Sequence, residues 1–213
     1  ACVFSAPPIA ANTCSAFKFT PNLVKNFNNE NNKIKGTGNV AETGTNNTYI
    51  LGEQNTVKGL SRNNIVAGNN NQIQNSVNNS YVYGTLGNAT VDNSIVLGGN
   101  SIGDLLGERQ VTTLLCGRQT TDNSTVDSYL NNNGKTLYAI SNNTAMYFQA
   151  DILALDVTEG GSYTGSFKSW VERGVVINES GTLSISRTRT SPASSGTTTG
   201  WSPVSTVSGT DYV

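Results

Sequence analysis

Five short phrases recur along the first half of this chain: NNKIKG, NTYILG, NNIVAG, NSYVYG and NSIVLG, ending at Gly36, Gly52, Gly68, Gly84 and Gly98. Their spacings of 16, 16, 16 and 14 residues form a repeat period. A period of this size belongs to architectures in which each unit stacks on the last. The expectation is a parallel β-solenoid through the middle of the chain. One β-branched residue stands two places before each glycine: Ile34, Ile50, Val66, Val82 and Val96. Side chains alternate across a strand, so these five form one inward column. Their neighbours fall on the other face: Lys33 and Lys35, Tyr49 and Leu51, Ile65 and Ala67, Tyr81 and Tyr83, Ile95 and Leu97. After the first unit that face is mostly apolar or aromatic. A thin coil cannot hide two apolar faces by itself, so the second is expected to be covered by the same face of identical chains.

Each glycine then marks a corner where the chain turns sharply or takes a positive φ. A weaker apolar position follows, at Val40, Val57, Ile73, Ala89 and Ile102, and predicts a short return strand. Asparagines at 47, 63, 79 and 93 recur at the strand entry. There their amides can cap backbone groups or stack as a ladder from coil to coil.

Composition limits what this scaffold can do. The chain has 213 residues, of which 36% are hydrophobic and 13% charged, with 22 glycines and 29 asparagines. It contains no histidine, which removes Ser-His-Asp and Cys-His catalysis and histidine metal ligands together. An enzyme built on this sequence needs carboxylates. The acids are dispersed; Asp104 with Glu108 on one helical face, and Asp151 with Asp156 on one strand, are the nearest to pairs. No catalytic, cofactor or metal site is expected. Net charge is −1 and the 13 basic residues are scattered, so there is no electrostatic footprint for nucleic acid. No run of about 18 apolar residues is present, so membrane insertion by a helix is not expected. Three cysteines, Cys2, Cys14 and Cys116, lack metal-site spacing. They are expected as free thiols, with a Cys2–Cys14 bridge around Pro7-Pro8 as the alternative in an oxidising setting. The chain begins at Ala1 and ends in GTDYV, which points to a processed chain or part of a longer one.

Three regions follow. Residues 1–30 read as a connector or cap, with Pro7, Pro8 and Pro21 breaking any helix and Phe4, Phe17, Phe19 and Phe27 available to cover the first coil. Residues 31–104 hold the repeats, with Leu105 and Leu106 expected to cap the last coil. Residues 105–213 alternate runs and turns: QVTTLLC, TVDSYL, NNNG, TLYAI, TAMYFQADILALDV, EGGS, YTGSFKSWVERGVVI, NESG and TLSISRTRT. That pattern predicts an antiparallel β-sandwich of jelly-roll type, without long helices. The stretch 187–200 is small and polar and is expected as a long loop. Arg187 and Arg189 share a strand face, and Trp201 and Tyr212 are aromatics of the kind that stack on sugars. These four are the candidate receptor contacts, with Trp170 and Trp201 as core aromatics being the plainer alternative.

The unit N-[NST]-x-[IV]-x-G, clearest in NNIVAG at 63–68 and NSIVLG at 93–98, resembles the head repeat of YadA-like trimeric adhesins, also found in phage tail fibres and tailspikes. The resemblance implies a left-handed parallel β-roll wound as a homotrimer. The later segment, through Ile140, Asn142, Asn143 and the Arg173-Gly174 pair, is similar to the C-terminal β-domain of phage tail fibres. Those domains continue past a GW segment, here Gly200-Trp201, whereas this chain stops at Val213, which points to a shortened domain or a fragment. Taken together, the resemblances imply a structural virion protein of a tailed bacteriophage, outside the cell on the phage tail. Its partners would be two further copies, other virion tail proteins and a host-surface glycan or protein. The alternatives are the head of a bacterial trimeric autotransporter adhesin and, from the enzyme class, a tailspike polysaccharide depolymerase.

Overall fold

The structure is a computed structural model. It describes residues 29–100, 103, 105–120, 126, 128–130, 138–158, 160–208 and 211–212. Two compact units divide between Leu115 and Cys116. All the described regular elements are β-strands.

The first unit is a stacked coil. Each turn contributes a five-residue strand and a two-residue return strand. The long strands are β1 (Lys33–Thr37), β3 (Tyr49–Glu53), β5 (Ile65–Asn69), β7 (Tyr81–Thr85) and β9 (Ile95–Gly99). The short ones are β2 (Val40–Ala41), β4 (Thr56–Val57), β6 (Gln72–Ile73) and β8 (Asn88–Ala89). Like pairs with like in parallel, so the two sheets run β1-β3-β5-β7-β9 and β2-β4-β6-β8. Register follows the repeat: Ile34, Ile50, Val66, Val82 and Val96 pair in sequence, as do the five glycines.

The core between the sheets is thin. Ile50, Val66, Val82 and Val96 from the long strands meet Val57, Ile73 and Ala89 from the short ones, with Val77 beside them. Two or three apolar side chains per turn cannot fill the interior, and the remaining space holds Thr45, Thr48, Asn55, Ser61, Asn64, Asn71, Ser80 and Ser94, all buried. The return column is Ala41, Val57, Ile73, Ala89. Val40, expected in it, instead pairs with Thr56. A two-residue strand has too little alternation to reveal which residue faces inward. Ile102 lies outside the described residues.

The two ends of the coil differ. At the first turn Ile34 is 50% and Val40 47% exposed, although the inward mates of Ile34 in later turns are fully buried. The aromatics expected as its cap, Phe4, Phe17, Phe19 and Phe27, lie outside the described residues, as do Cys2, Cys14 and Asp104. At the other end β10 (Gln110–Thr113) reverses direction and pairs antiparallel with β9. The Gln110 amide accepts from the Asn88 N–H at 2.8 Å and donates to the Asn88 carbonyl at 3.2 Å. It thereby supplies the open edge of β8 with the bonds another turn would make. Leu105 and Leu106, expected to cap this end, remain exposed; the role falls to a backbone-like amide, because what the edge lacks is hydrogen-bond partners. β10 also carries the first unit's sheet past residue 105.

The 14-residue step is a deletion at a corner. Val91 takes the place of Val77, and Asp92 accepts the Asn78 N–H at 2.8 Å. The other corners require left-handed backbone at Gly44, Leu60 and Ser76, with φ of 90°, 62° and 61°. Leu60 is 61% exposed, so its side chain offsets little of the strain. An L-residue in this region costs about 1–2 kcal/mol, and glycine's greater chain entropy returns about 0.5–1. Leu60→Gly is therefore expected to raise stability by about 0.5–1 kcal/mol, measured as an increased urea midpoint; a decrease would show that Leu60 is held by contacts.

The second unit is antiparallel. β11 (Cys116–Gly117) pairs with β12 (Tyr129–Leu130). A small sheet joins β13 (Tyr138–Ala139), β18 (Asp211–Tyr212) and β17 (Val207–Ser208). The main sheet is a meander of β14 (Thr144–Val157), β15 (Tyr163–Glu179) and β16 (Thr182–Ser195). Ser180 and Gly181, with φ of 52° and 87°, make the two-residue turn between β15 and β16, a type I′ geometry whose twist matches its strands. The stretch expected as a loop from residue 187 is instead largely strand, because β16 runs to Ser195. Pro192 is accommodated where the β15–β16 register shifts between Ser169 and Val171, on a strand that has no neighbour in this sheet beyond β15.

Candidate functional site

Two surfaces present the chemistry singled out by the sequence. On the first unit the outward columns stand in register: Lys33, Tyr49, Ile65, Tyr81 and Ile95 in one, Lys35, Leu51, Ala67, Tyr83 and Leu97 in the other. β10 continues them with Val111 opposite Leu97. Tyr83 is 40% and Leu97 51% exposed, with Tyr49, Leu51, Tyr81 and Ile95 similarly open. Rungs lie about 4.8 Å apart, so five of them form an apolar stripe about 20 Å long. Lys33 and Lys35 end it. The Lys33 ammonium lies 5.1 Å from the Tyr49 ring centroid. A hydrogen bond to Tyr49, and then its charge, raise the Lys33 pKa above the usual lysine value.

Asparagine columns link successive turns at the ends of these strands. Asn31, Asn47, Asn63 and Asn79 pass side-chain hydrogen bonds from turn to turn at 3.1, 3.2 and 3.1 Å. Each also adopts left-handed backbone, which asparagine tolerates better than most residues. A second column went unnoticed in the sequence: Asn39, Asn55 and Asn71, three places after the glycines. Their amides donate to the carbonyls of Gly52, Gly68 and Gly84 at 2.7, 2.7 and 2.8 Å. The recurrence of asparagine at that offset was its only signal.

In the second unit, Arg187 and Arg189 share one partner within the chain. Both are held at the Glu172 carboxylate, which is fully buried while the arginine side chains are 28% and 21% exposed. Arg189 Nε donates to Glu172 Oε2 at 2.6 Å, and Arg187 Nε lies 3.6 Å from Oε1. Arg189 also donates to Ser202 Oγ at 3.2 Å. Lys168 Nζ donates to the Trp201 carbonyl at 3.3 Å, which ties the Trp201 segment to β15. Trp201 is half-buried and Trp170 buried. Tyr212 pairs in β18 with Tyr138 and Val207. Among the acids, Asp151 and Asp156 both lie on β14, and Glu108 accepts the Gly103 N–H at 3.2 Å. Cys116 is free and exposed.

The opposite face of the main sheet is open. Tyr147, Leu153 and Leu155 of β14 are 66%, 62% and 53% exposed, and Val175 and Ile177 of β15 are also exposed. Between them Arg173 Nε donates to Gln149 Oε1 at 3.0 Å, and Gln149 Nε2 to the Asp151 carboxylate at 3.4–3.5 Å. Compared with family models, curated proteins and solved structures, the chain matches none.

Proposed function

We propose that this chain is a fibre or spike segment of a tailed bacteriophage virion. It would be a homotrimer in which the stacked coil forms a stiff shaft and the second unit contacts the host surface. The observation that supports it is the exposed pair of apolar columns on the first unit, continuous over successive turns and in register. A stripe of this kind on a soluble surface marks an interaction site, and identical rungs match best against identical rungs. The repeat phrase, with its resemblance to trimeric adhesin heads and tail fibres, favours three copies. Attachment then works by avidity: three weak contacts on one rigid stalk bind far more tightly than one.

Light scattering is expected to give a particle of three times the 22.5 kDa chain mass, still intact in SDS at room temperature. Tyr83→Glu is expected to reduce that mass to one chain, because it places three carboxylates on the shared seam. A wild-type monomer would overturn the proposal.

A further inference from the structure

The main sheet of the second unit covers one face from within its own chain and leaves the other open. Trp170, Glu172, Val176 and Asn178 are buried on the covered side. On the open side, strand register sorts the residues of β14 and β15 into bands by height. Ala145 opposite Ile177 and Tyr147 opposite Val175 form an apolar band. Gln149 opposite Arg173 and Asp151 opposite Val171 form a polar one. Leu153 opposite Ser169 and Leu155 opposite Phe167 are again mainly apolar. At its paired positions the open face of β16 carries serines and threonines apart from Ala193, so the large apolar side chains are confined to β14 and β15.

The polar band carries one charge of each sign on different strands. Among the described residues the ion pairs are those of Glu172 with Arg187 and Arg189. Asp151 and Arg173 reach each other only through the Gln149 amide.

We propose that the open β14–β15 face docks against the same face of further copies of this chain, with Asp151 of one copy paired to Arg173 of the next. The proposal rests on the homotrimer reading and extends it to a second interface. In a parallel cyclic assembly, neighbouring copies stand at the same height. β14 of one then meets β15 of the next, apolar band against apolar band, and within the polar band Asp151 stands one rung from the neighbour's Arg173, a step that the long arginine side chain spans. The pairing is heterologous: each copy gives Asp151 to one neighbour and Arg173 to the other, which is what closes a ring. A glycan stacked on Tyr147 is the competing occupant. The charge pattern favours a second copy, because the face presents both halves of an ion pair that its own chain does not form.

The test uses the full chain and its two tryptophans, Trp170 and Trp201, both in the second unit. The fluorescence-detected melting midpoint reports the second unit, whose copies the coil already holds together in the trimer. Asp151→Lys and Arg173→Glu are each expected to lower it by several degrees. A 1:1 mixture of the two variants, refolded together, is expected to recover towards wild type. Only contacts between chains can be restored by mixing, so poor folding of either variant alone cannot mimic this. A mixture that melts as the sum of its components overturns the proposal. So do variants that melt like wild type while added host polysaccharide raises the wild-type midpoint, which would give the face to a glycan. Either result with a wild-type trimer rejects this interface and leaves the coil trimer standing; a wild-type monomer rejects both.

Discussion

Gly68→Ala is expected to dismantle the stacked coil. Gly68 has φ of 125°, and a Cβ built on it would lie 1.9 Å from the Gly84 carbonyl oxygen. Two independent costs follow. The backbone is in a region essentially reserved for glycine, and the obstacle is the main chain of the next turn, which cannot swing aside like a side chain. The neighbours share the problem: Cβ atoms at Gly36, Gly52 and Gly84 would meet the following glycine's carbonyl oxygen at 1.8, 2.1 and 2.2 Å. The glycine column is therefore a requirement of close stacking, and relaxing one turn transmits the displacement to the next. A loss of at least about 4 kcal/mol is expected, in the range of severe core lesions. Hydrogen exchange is the suitable readout, because both tryptophans are in the other unit. Amides of β3, β5 and β7 should lose protection while β14–β16 keep theirs. Gly117→Ala, with nothing within 4 Å of its added Cβ, should change little. Retention of protection in Gly68→Ala would show that the turns can separate without unfolding.

The periodic features were legible because a solenoid gives every equivalent position the same surroundings. Five glycines, five β-branched residues and a column of strand-entry asparagines are each one environment sampled repeatedly, so the signal accumulates. Position within a short element did not accumulate in this way, and Val40 was placed one residue off. The Asn39–Asn55–Asn71 column was hidden by polarity itself. In so asparagine-rich a chain a polar run reads as solvent-facing, whereas here the interior is too narrow for apolar filling and amides complete it.

In the second unit, strand limits were largely legible and side-chain partners were not. Arg187 and Arg189 carry charge, which reads as surface, and their partner Glu172 sits on the neighbouring strand. The signal was nevertheless present in the NESG turn. A two-residue turn at Ser180–Gly181 pairs Glu179 with Thr182, and counting back places Glu172 opposite Arg189 and Gly174 opposite Arg187. Gly174 then has a role of its own: a Cβ there would meet the Ser186 carbonyl oxygen at 2.4 Å and the Phe148 ring at 2.8 Å. The open face of β14 and β15 was not singled out, because the sandwich expected from the alternating runs gives each sheet a single apolar face, turned inward.

Asn55→Ala is expected to cost about 2–6 kcal/mol, the sum of two stranded backbone groups at about 1–3 each. Asn55 is fully buried. Its Nδ2 donates to the Gly68 carbonyl at 2.7 Å, and its Oδ1 accepts the Asn71 backbone N–H at 3.0 Å. One amide thus serves two successive backbone positions at the corner where the long strands end. Truncation leaves that carbonyl and that N–H without the partner, in an interior lacking free polar groups to replace it. Asn55→Asp separates this account from simple loss of volume. The carboxylate keeps the shape and the acceptor, but sets an oxygen against the Gly68 and Leu51 carbonyls where Nδ2 now donates at 2.7 and 3.2 Å. At neutral pH the Asp variant is therefore expected to be less stable than the Ala variant, although it preserves more atoms. Urea unfolding of the three proteins followed by tyrosine fluorescence decides it. An Asp variant as stable as wild type would mean that the column fills space, and that the turns are held by the glycines and the strand ladder alone.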